Sequence, residues 1–257
     1  VWSIMKGRLF QMSKINYSTD ARSEWNERTS NISVDKVDDI AFSKIFELYL
    51  PESKKFSVLE IGSVPGTFLV YFHKKFGYRV NGIDFAENTE VFHETMKKND
   101  IKDYSFINAD FFKYKFTRQY DVVSSFGFIE HFDDLDEVLA RHEALVRPGG
   151  YLVMTLPNFR FLQHVYHYKF DRPNLEIHNL KAMNIGRLKH KLRSLGLKKL
   201  HAGYFGNLQV WREDTPLEIN QRRKVNSIHT WVGKHGFKMP TFRLYSPYIV
   251  LIYRKPL

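Results

Sequence analysis

Val58-Leu59-Glu60-Ile61-Gly62-Ser63-Val64-Pro65-Gly66-Thr67-Phe68 is the stretch on which the reading of this 257-residue chain turns. An apolar run ends at a carboxylate, turns through glycine and opens into a helical pattern. Gly62 permits the tight turn, and Gly66 lets main chain approach a ligand closely at the positively polarised start of a helix. A β–α turn that binds nothing uses the same residues, so this stretch speaks first to the fold.

On either side of the turn, strand and helix patterns alternate. Residues 37–50 place Val37, Ile40, Ala41, Ile45, Phe46 and Leu48 at helical spacing, stopped by Pro51. Strands are predicted over 57–62, 79–85, 105–110, 120–128 and 151–156, with helices over 66–76 and about 88–98. A further helix after residue 133 carries a capping box, Asp134 with Glu137, and an i,i+4 pair, Glu137 with Arg141; Pro148-Gly149-Gly150 is expected to end it. Five successive β–α units predict an α/β fold, a Rossmann-like, mostly parallel sheet with helices on both faces. Late strands over 199–205 and 242–253, around a helix near 217–235, make that sheet seven-stranded with a hairpin-like final pair. A single domain is expected, with an N-terminal extension and helix (1–50), a core (51–158), a helical cap inserted after the fifth strand (158–196) and C-terminal strands (197–257).

Acidic residues end consecutive strands. Asp84 closes Val80-Asn81-Gly82-Ile83-Asp84, about 20 residues past the glycine turn, where a carboxylate can accept both hydroxyls of a ribose. Its alternative role, capping the next helix, is available to Asn88. Asp110, ending the third strand, suits an adenine amino group, with Phe111 or Phe85 against the ring. Glu60, Asp84 and Asp110 converge on the sheet edge where open α/β folds bind ligands.

The set VLEIGSVPG (58–66), GIDF (82–85), NADF (108–111), YDVVSSFGFIEHFDD (120–134) and RPGGYLVMTLPN (147–158) resembles the class I S-adenosylmethionine-dependent methyltransferases, over about residues 37–158. The resemblance implies that Glu60 serves the methionyl ammonium and that the loop of Gly62, Ser63 and Gly66 wraps the methionine and ribose. It further implies that Asp84 holds the ribose hydroxyls, Asp110 the adenine, and that the strand end at Phe126 passes alongside the methionine. The product is then S-adenosylhomocysteine. Val64 stands where the family commonly has glycine, and Pro65 is also unusual, so this loop is stiffer than most. A nicotinamide enzyme fits less well, because the loop lacks G-x-G-x-x-G.

Methyl transfer is an in-line displacement at a sulfonium, so the protein's tasks are alignment and, for a poorly acidic acceptor, proton removal. His131, just past the fourth strand, is the first candidate base, with the alternative that Glu130 and His131 only shape the turn. His178, in the inserted cap, is the second; a histidine in a helical segment is also commonly structural. His164 and His167 are weaker candidates. Glu130, His131 and Asp133 make no strong metal signature, and no metal is expected.

Composition limits the acceptor. The absence of cysteine excludes thiolate metal sites and cysteine nucleophiles, including those of C5-pyrimidine methylation. A net charge of +11 favours anionic partners, or reflects basic solvated faces. The expected acceptor is a small polar, anionic metabolite or glycan precursor, methylated on oxygen or nitrogen beneath the cap. Phe159, Phe161, Tyr166 and Tyr168 would exclude water there, and Arg160, Lys169 and Arg172 would meet a phosphate or carboxylate. An RNA methyltransferase is the alternative, supported by the basic run from Arg187 to Arg193. Ser124-Ser125-Phe126 and Leu156-Pro157-Asn158 lack the Asp and Lys of ribose 2′-O-methylation, and Leu188 and Leu192 make the basic run an amphipathic helix. A non-catalytic cofactor-binding partner is a further alternative. With no apolar run near the roughly 18 residues that cross a membrane and no apolar N-terminal leader pattern, a cytoplasmic enzyme without membrane partners is expected.

Overall fold

The computed structural model describes residues 34–212 and 217–257. The extension expected at the N-terminus lies, up to residue 33, outside the described residues. In chain order the elements are α1 (Ser43–Tyr49), β1 (Ser57–Ile61), α2 (Thr67–Phe76), β2 (Arg79–Asp84), α3 (Glu90–Lys98), β3 (Tyr104–Asn108) and β4 (Tyr120–Phe126). A 3₁₀ turn (Ile129–His131) follows, then α4 (Leu135–Leu145), β5 (Val146–Pro157), α5 (Leu162–Phe170), α6 (Arg172–Glu176), α7 (Ile185–Ser194), β6 (Lys198–Phe205), α8 (Ile219–His235) and β7 (Tyr248–Arg254). Among the described residues no helix is long and apolar enough to cross a membrane.

The seven strands form one sheet in the order β3-β2-β1-β4-β5-β7-β6. β1 to β5 are parallel, and β7 runs antiparallel between β5 and β6. Side chains alternate between two cores. Val58, Val80, Val122, Val153 and Val250 face α1, α2 and α3, whereas Leu59, Ile61, Val123, Leu152 and Leu251 face α4 and α7. The order reverses between β1 and β4, so the carboxyl ends of those two strands open the crevice in which such sheets hold ligands.

Several local expectations change. The first helix begins at Ser43, not near Val37: the Val37 N–H donates to Asn99 Oδ1 at 2.8 Å, and its carbonyl accepts from Lys74 Nζ at 2.9 Å. Partners distant in sequence thus take the hydrogen bonds a helix would have used. The third β–α unit has no helix, since 109–119 is irregular chain. Its Phe111 and Phe112 fill the space instead, against His142 and Phe132. α3 starts after Thr89, not Asn88. α4 ends at Leu145, ahead of Pro148-Gly149-Gly150, which lies within β5 where the pairing with β4 shifts register. A side chain at residue 150 would sit 2.7 Å from the Asp121 carbonyl, so glycine is needed for strand contact there. β7 begins at Tyr248, because residues 242–246 form a turn in which the Phe242 N–H donates to Ser246 Oγ at 2.8 Å.

The α4 signals hold. Asp134 Oδ1 accepts the Glu137 N–H at 3.0 Å, and Arg141 Nε donates to Glu137 Oε1 at 2.9 Å. α7 buries Leu188 and Leu192, so its basic run is the outer face of a helix packed by its apolar stripe.

His142, on α4, is wholly buried; its Nδ1–H donates to the Val138 carbonyl at 2.7 Å, and Nε2 meets Ser125 Oγ at 3.1 Å. Burial pushes its pKa down from 6.5 to about 4. Between those values the unfolded chain binds the extra proton, so stability falls as pH drops through that window, by at most about 3 kcal/mol. His142→Gln is expected to flatten the loss of melting temperature below about pH 6.5. Equal slopes in wild type and variant would show that other groups carry the acid limb.

Candidate active site

The site is built on the carboxyl ends of β1, β2 and β4. Gly62 (φ 72°) and Gly66 (φ 98°) both adopt left-handed backbone, closed to most side chains. A Cβ on Gly62 would lie 2.8 Å from Phe128 Cδ2, and one on Gly66 2.6 Å from Met96 Cε. The Gly62 N–H donates to the Ile83 carbonyl at 2.9 Å, tying the loop to β2. Asp84 completes the tie: Oδ2 accepts the Val64 N–H at 3.0 Å and Oδ1 the Ala86 N–H at 2.9 Å. Sequence reading placed Asp84 at the strand end but missed this grip on the loop, which depends on residue 64 folding back over β2.

Glu60 is 3% exposed, and its Oε2 has no hydrogen-bond partner. Burial, and then the charge of Asp84, push its pKa well above the usual carboxylate range, against a hydrogen bond from the Leu69 backbone. The buried Ser63 hydroxyl is likewise without a partner. A buried polar atom with no partner costs free energy that a bound ligand can relieve. Asp110 lies two residues past β3 instead of at its end; Oδ1 accepts the Phe112 N–H at 2.9 Å and Oδ2 lies 3.6 Å from Lys113 Nζ.

The aromatic candidates separate. Phe111 is 5% exposed and packs edge-on to His142 of α4 and to Phe128, the ring that borders Gly62. Phe85 stays half-buried past β2. The Phe126 ring stacks on Phe68 at 3.7 Å between centroids and touches Phe46 and Phe72, so side-chain packing holds this strand end in place.

Beyond β4 the chain turns through Gly127 (φ 65°) into Ile129–His131. Glu130 is 1% exposed, both its oxygens lack partners, and burial raises its pKa from 4.5 to about 8. The cap brings His178 to this point: the His131 and His178 ring centroids are 4.6 Å apart. Asn179 fastens the cap, its N–H donating to the Glu130 carbonyl at 2.7 Å and its Nδ2 to the Phe132 carbonyl at 2.8 Å. His178 Nδ1 donates to the Asn174 carbonyl at 2.5 Å. Asn174 Nδ2 in turn donates to the buried Asp171, at 2.9 Å, which also holds His167 Nδ1 at 3.0 Å. His167 is therefore a structural partner of the cap, and His164 stacks near Tyr168 on α5. Asn179 directly follows His178 in the sequence, yet nothing local marks it as a clasp.

A cleft of about 600 Å³ opens here, with His131, Asp133, Glu176, His178 and Lys181 in its wall. The expected cationic trio does not line it: Arg172 pairs with Glu176 at 2.7 Å, and Arg160 stacks over Phe161. Phe159 and Tyr166 are buried within the cap, whereas Phe161 and Tyr168 face outward.

Residues 27–239 match the family model of a methyltransferase domain. The chain belongs to this family. It is a class I methyltransferase whose cofactor is S-adenosylmethionine. Its fold is shared with a SAM-dependent methyltransferase from Archaeoglobus fulgidus, at TM-score 0.54 and 21% identity over 82% of this chain and 92% of that one. It is also shared with phosphoethanolamine N-methyltransferase 2 of Haemonchus contortus, in complex with S-adenosyl-L-methionine, at TM-score 0.60 and 17% identity over 93% of this chain and 58% of that one. No curated protein matches the methyltransferase by sequence. The glycine cradle and the unpartnered Glu60 and Ser63 oxygens fit the family's cofactor, offering acceptors to an ammonium and hydroxyls.

Proposed function

We propose that this methyltransferase moves the methyl of S-adenosylmethionine to an oxygen or nitrogen of a small polar, anionic metabolite or glycan precursor held beneath residues 158–196. The observation that carries this reading is the meeting of His131, from the end of β4, with His178, from the cap, in the wall of one cleft.

Bound S-adenosylmethionine supplies an electrophilic methyl on a sulfonium. Glu60 accepts from the methionyl ammonium, and Gly62, Ser63 and Gly66 let the main chain lie against the methionine and ribose. Asp84 accepts from the ribose hydroxyls and Asp110 from the adenine amino group. Phe85, half-buried past β2, is the more accessible of the two rings for the adenine, Phe111 being 5% exposed. The chain at Phe126 borders the methionine. On the acceptor side, His131 and His178 take or polarise the proton that the acceptor loses, and Lys181 is the cleft cation available to an anionic group.

The cleft's mixed acids and bases favour a metabolite over nucleic acid. Binding of bulk RNA, measured from low to physiological salt, tests this. A surface contacting several phosphates gives a steep log–log slope, about −0.7 per single-strand phosphate. The expected result is weak association and no methyl incorporation into RNA. Tight, steeply salt-dependent binding with methylated RNA would replace this reading with the RNA one.

A further inference from the structure

We propose that Glu130, His131 and His178 form a binding site for one divalent metal ion of the zinc class, beside the acceptor cleft. One carboxylate oxygen of Glu130 and one ring nitrogen of each histidine all lie within 4.8 Å of one another. Among the described residues this is the one such group of His, Asp and Glu. Ligand bonds to zinc are about 2.0–2.2 Å, so neighbouring ligand atoms stand roughly 3–3.5 Å apart. Small side-chain rotations therefore close the cluster on an ion.

Three features separate this cluster from a chance grouping. Glu130 is 1% exposed with both oxygens unpartnered, an arrangement that is costly for an ionised carboxylate and that a bound cation relieves. The Asn174 carbonyl can only accept, so His178 Nδ1 carries the proton and Nε2 keeps the lone pair that a metal needs. This is the outer hydrogen bond by which metal-binding imidazoles are oriented, and here it is buttressed through Asn174 by Asp171. Asn179, next to His178, is bonded to the Glu130 main chain, so cap and strand end cannot drift apart without breaking that bond.

Two imidazoles and one carboxylate suit a borderline ion such as Zn²⁺, Co²⁺ or Fe²⁺ over Mg²⁺ or Ca²⁺, which prefer all-oxygen shells. Three protein ligands leave a position open toward the cleft, where an acceptor hydroxyl can coordinate and become more acidic. That role deepens the methyl-transfer reading and rests on it, whereas the binding itself does not; with an ion bound, His131 and His178 act on the acceptor proton through the metal instead of as free bases. In the transfer the acceptor's O–H proton passes to solvent, the new O–CH₃ bond forms, and the S–CH₃ bond breaks with its electrons staying on sulfur.

The test uses the full chain, stripped with a chelator and dialysed. Titration with Zn²⁺ by calorimetry, and with Co²⁺ by visible absorption, is expected to show one ion per chain. His178→Ala and Glu130→Gln should each weaken Zn²⁺ binding by at least roughly tenfold, while His164→Ala leaves it unchanged. Each variant's thermal shift with S-adenosylhomocysteine reports that it is folded. Absence of stoichiometric Zn²⁺ binding in the wild type, or binding indifferent to His178→Ala and Glu130→Gln, would overturn the proposal. If the wild type binds Zn²⁺ as expected but not S-adenosylhomocysteine, the methyl-transfer reading fails and the metal site stands.

Discussion

Asp84→Ala is expected to lower affinity for S-adenosylhomocysteine by roughly two to four orders of magnitude. Two hydrogen bonds to a charged acceptor are worth about 1.5–3 kcal/mol each, and about 1.4 kcal/mol is a factor of ten. The variant also strands the Val64 and Ala86 N–H groups, which Asp84 now receives at 3.0 and 2.9 Å. The loop therefore loosens at the same time as the proposed ribose acceptor is removed. Asp84→Asn, which retains one carbonyl oxygen, should fall between wild type and alanine. Calorimetry on the three proteins gives the comparison, with circular dichroism to show that each is folded. Equal affinity in wild type and Asp84→Ala would remove the proposed cofactor assignment at its centre.

The second large effect is on turnover. His131→Ala should depress kcat by roughly 10² or more, the usual range for a group that handles the proton in the transition state. Cofactor affinity should survive, because Glu60 lies on β1, the glycine loop just past it and Asp84 on β2. The S-adenosylhomocysteine thermal shift and a methyl-transfer assay, run on the same preparation, separate the two. Wild-type turnover in the variant would reduce His131 to a turn residue and pass the question to His178.

The core was readable in the sequence because its signals are local. β1, β2 and β4 announce themselves by apolar runs that end in glycine or a carboxylate, and α4 by Asp134, Glu137 and Arg141. What escaped depends on partners far along the chain. Val37 is helical by spacing, yet its amide goes to Asn99. Phe111 stands next to Asp110 and reads as a cofactor contact. In the helix-free segment between β3 and β4 it is buried against His142 and Phe128. Arg160, Lys169 and Arg172 were grouped by composition, but Arg172 has its own acid one helical turn away. The candidate site was legible as two separate histidines. Their adjacency follows from the clasp at Asn179, for which no periodicity exists.

That clasp bears on how specificity in this enzyme can diverge. Asn179 grips main-chain carbonyls, which every amino acid possesses, at residues 130 and 132. The insert is thus anchored to the shape of the chain after β4 instead of to particular side chains there. Its cleft-facing residues, Glu176 and Lys181 among them, are free to drift while the attachment persists. With the acceptor held where we propose, descendants of one ancestral scaffold can in this way keep their cofactor shelf and exchange the molecule they methylate, through changes at a few positions flanking a single asparagine.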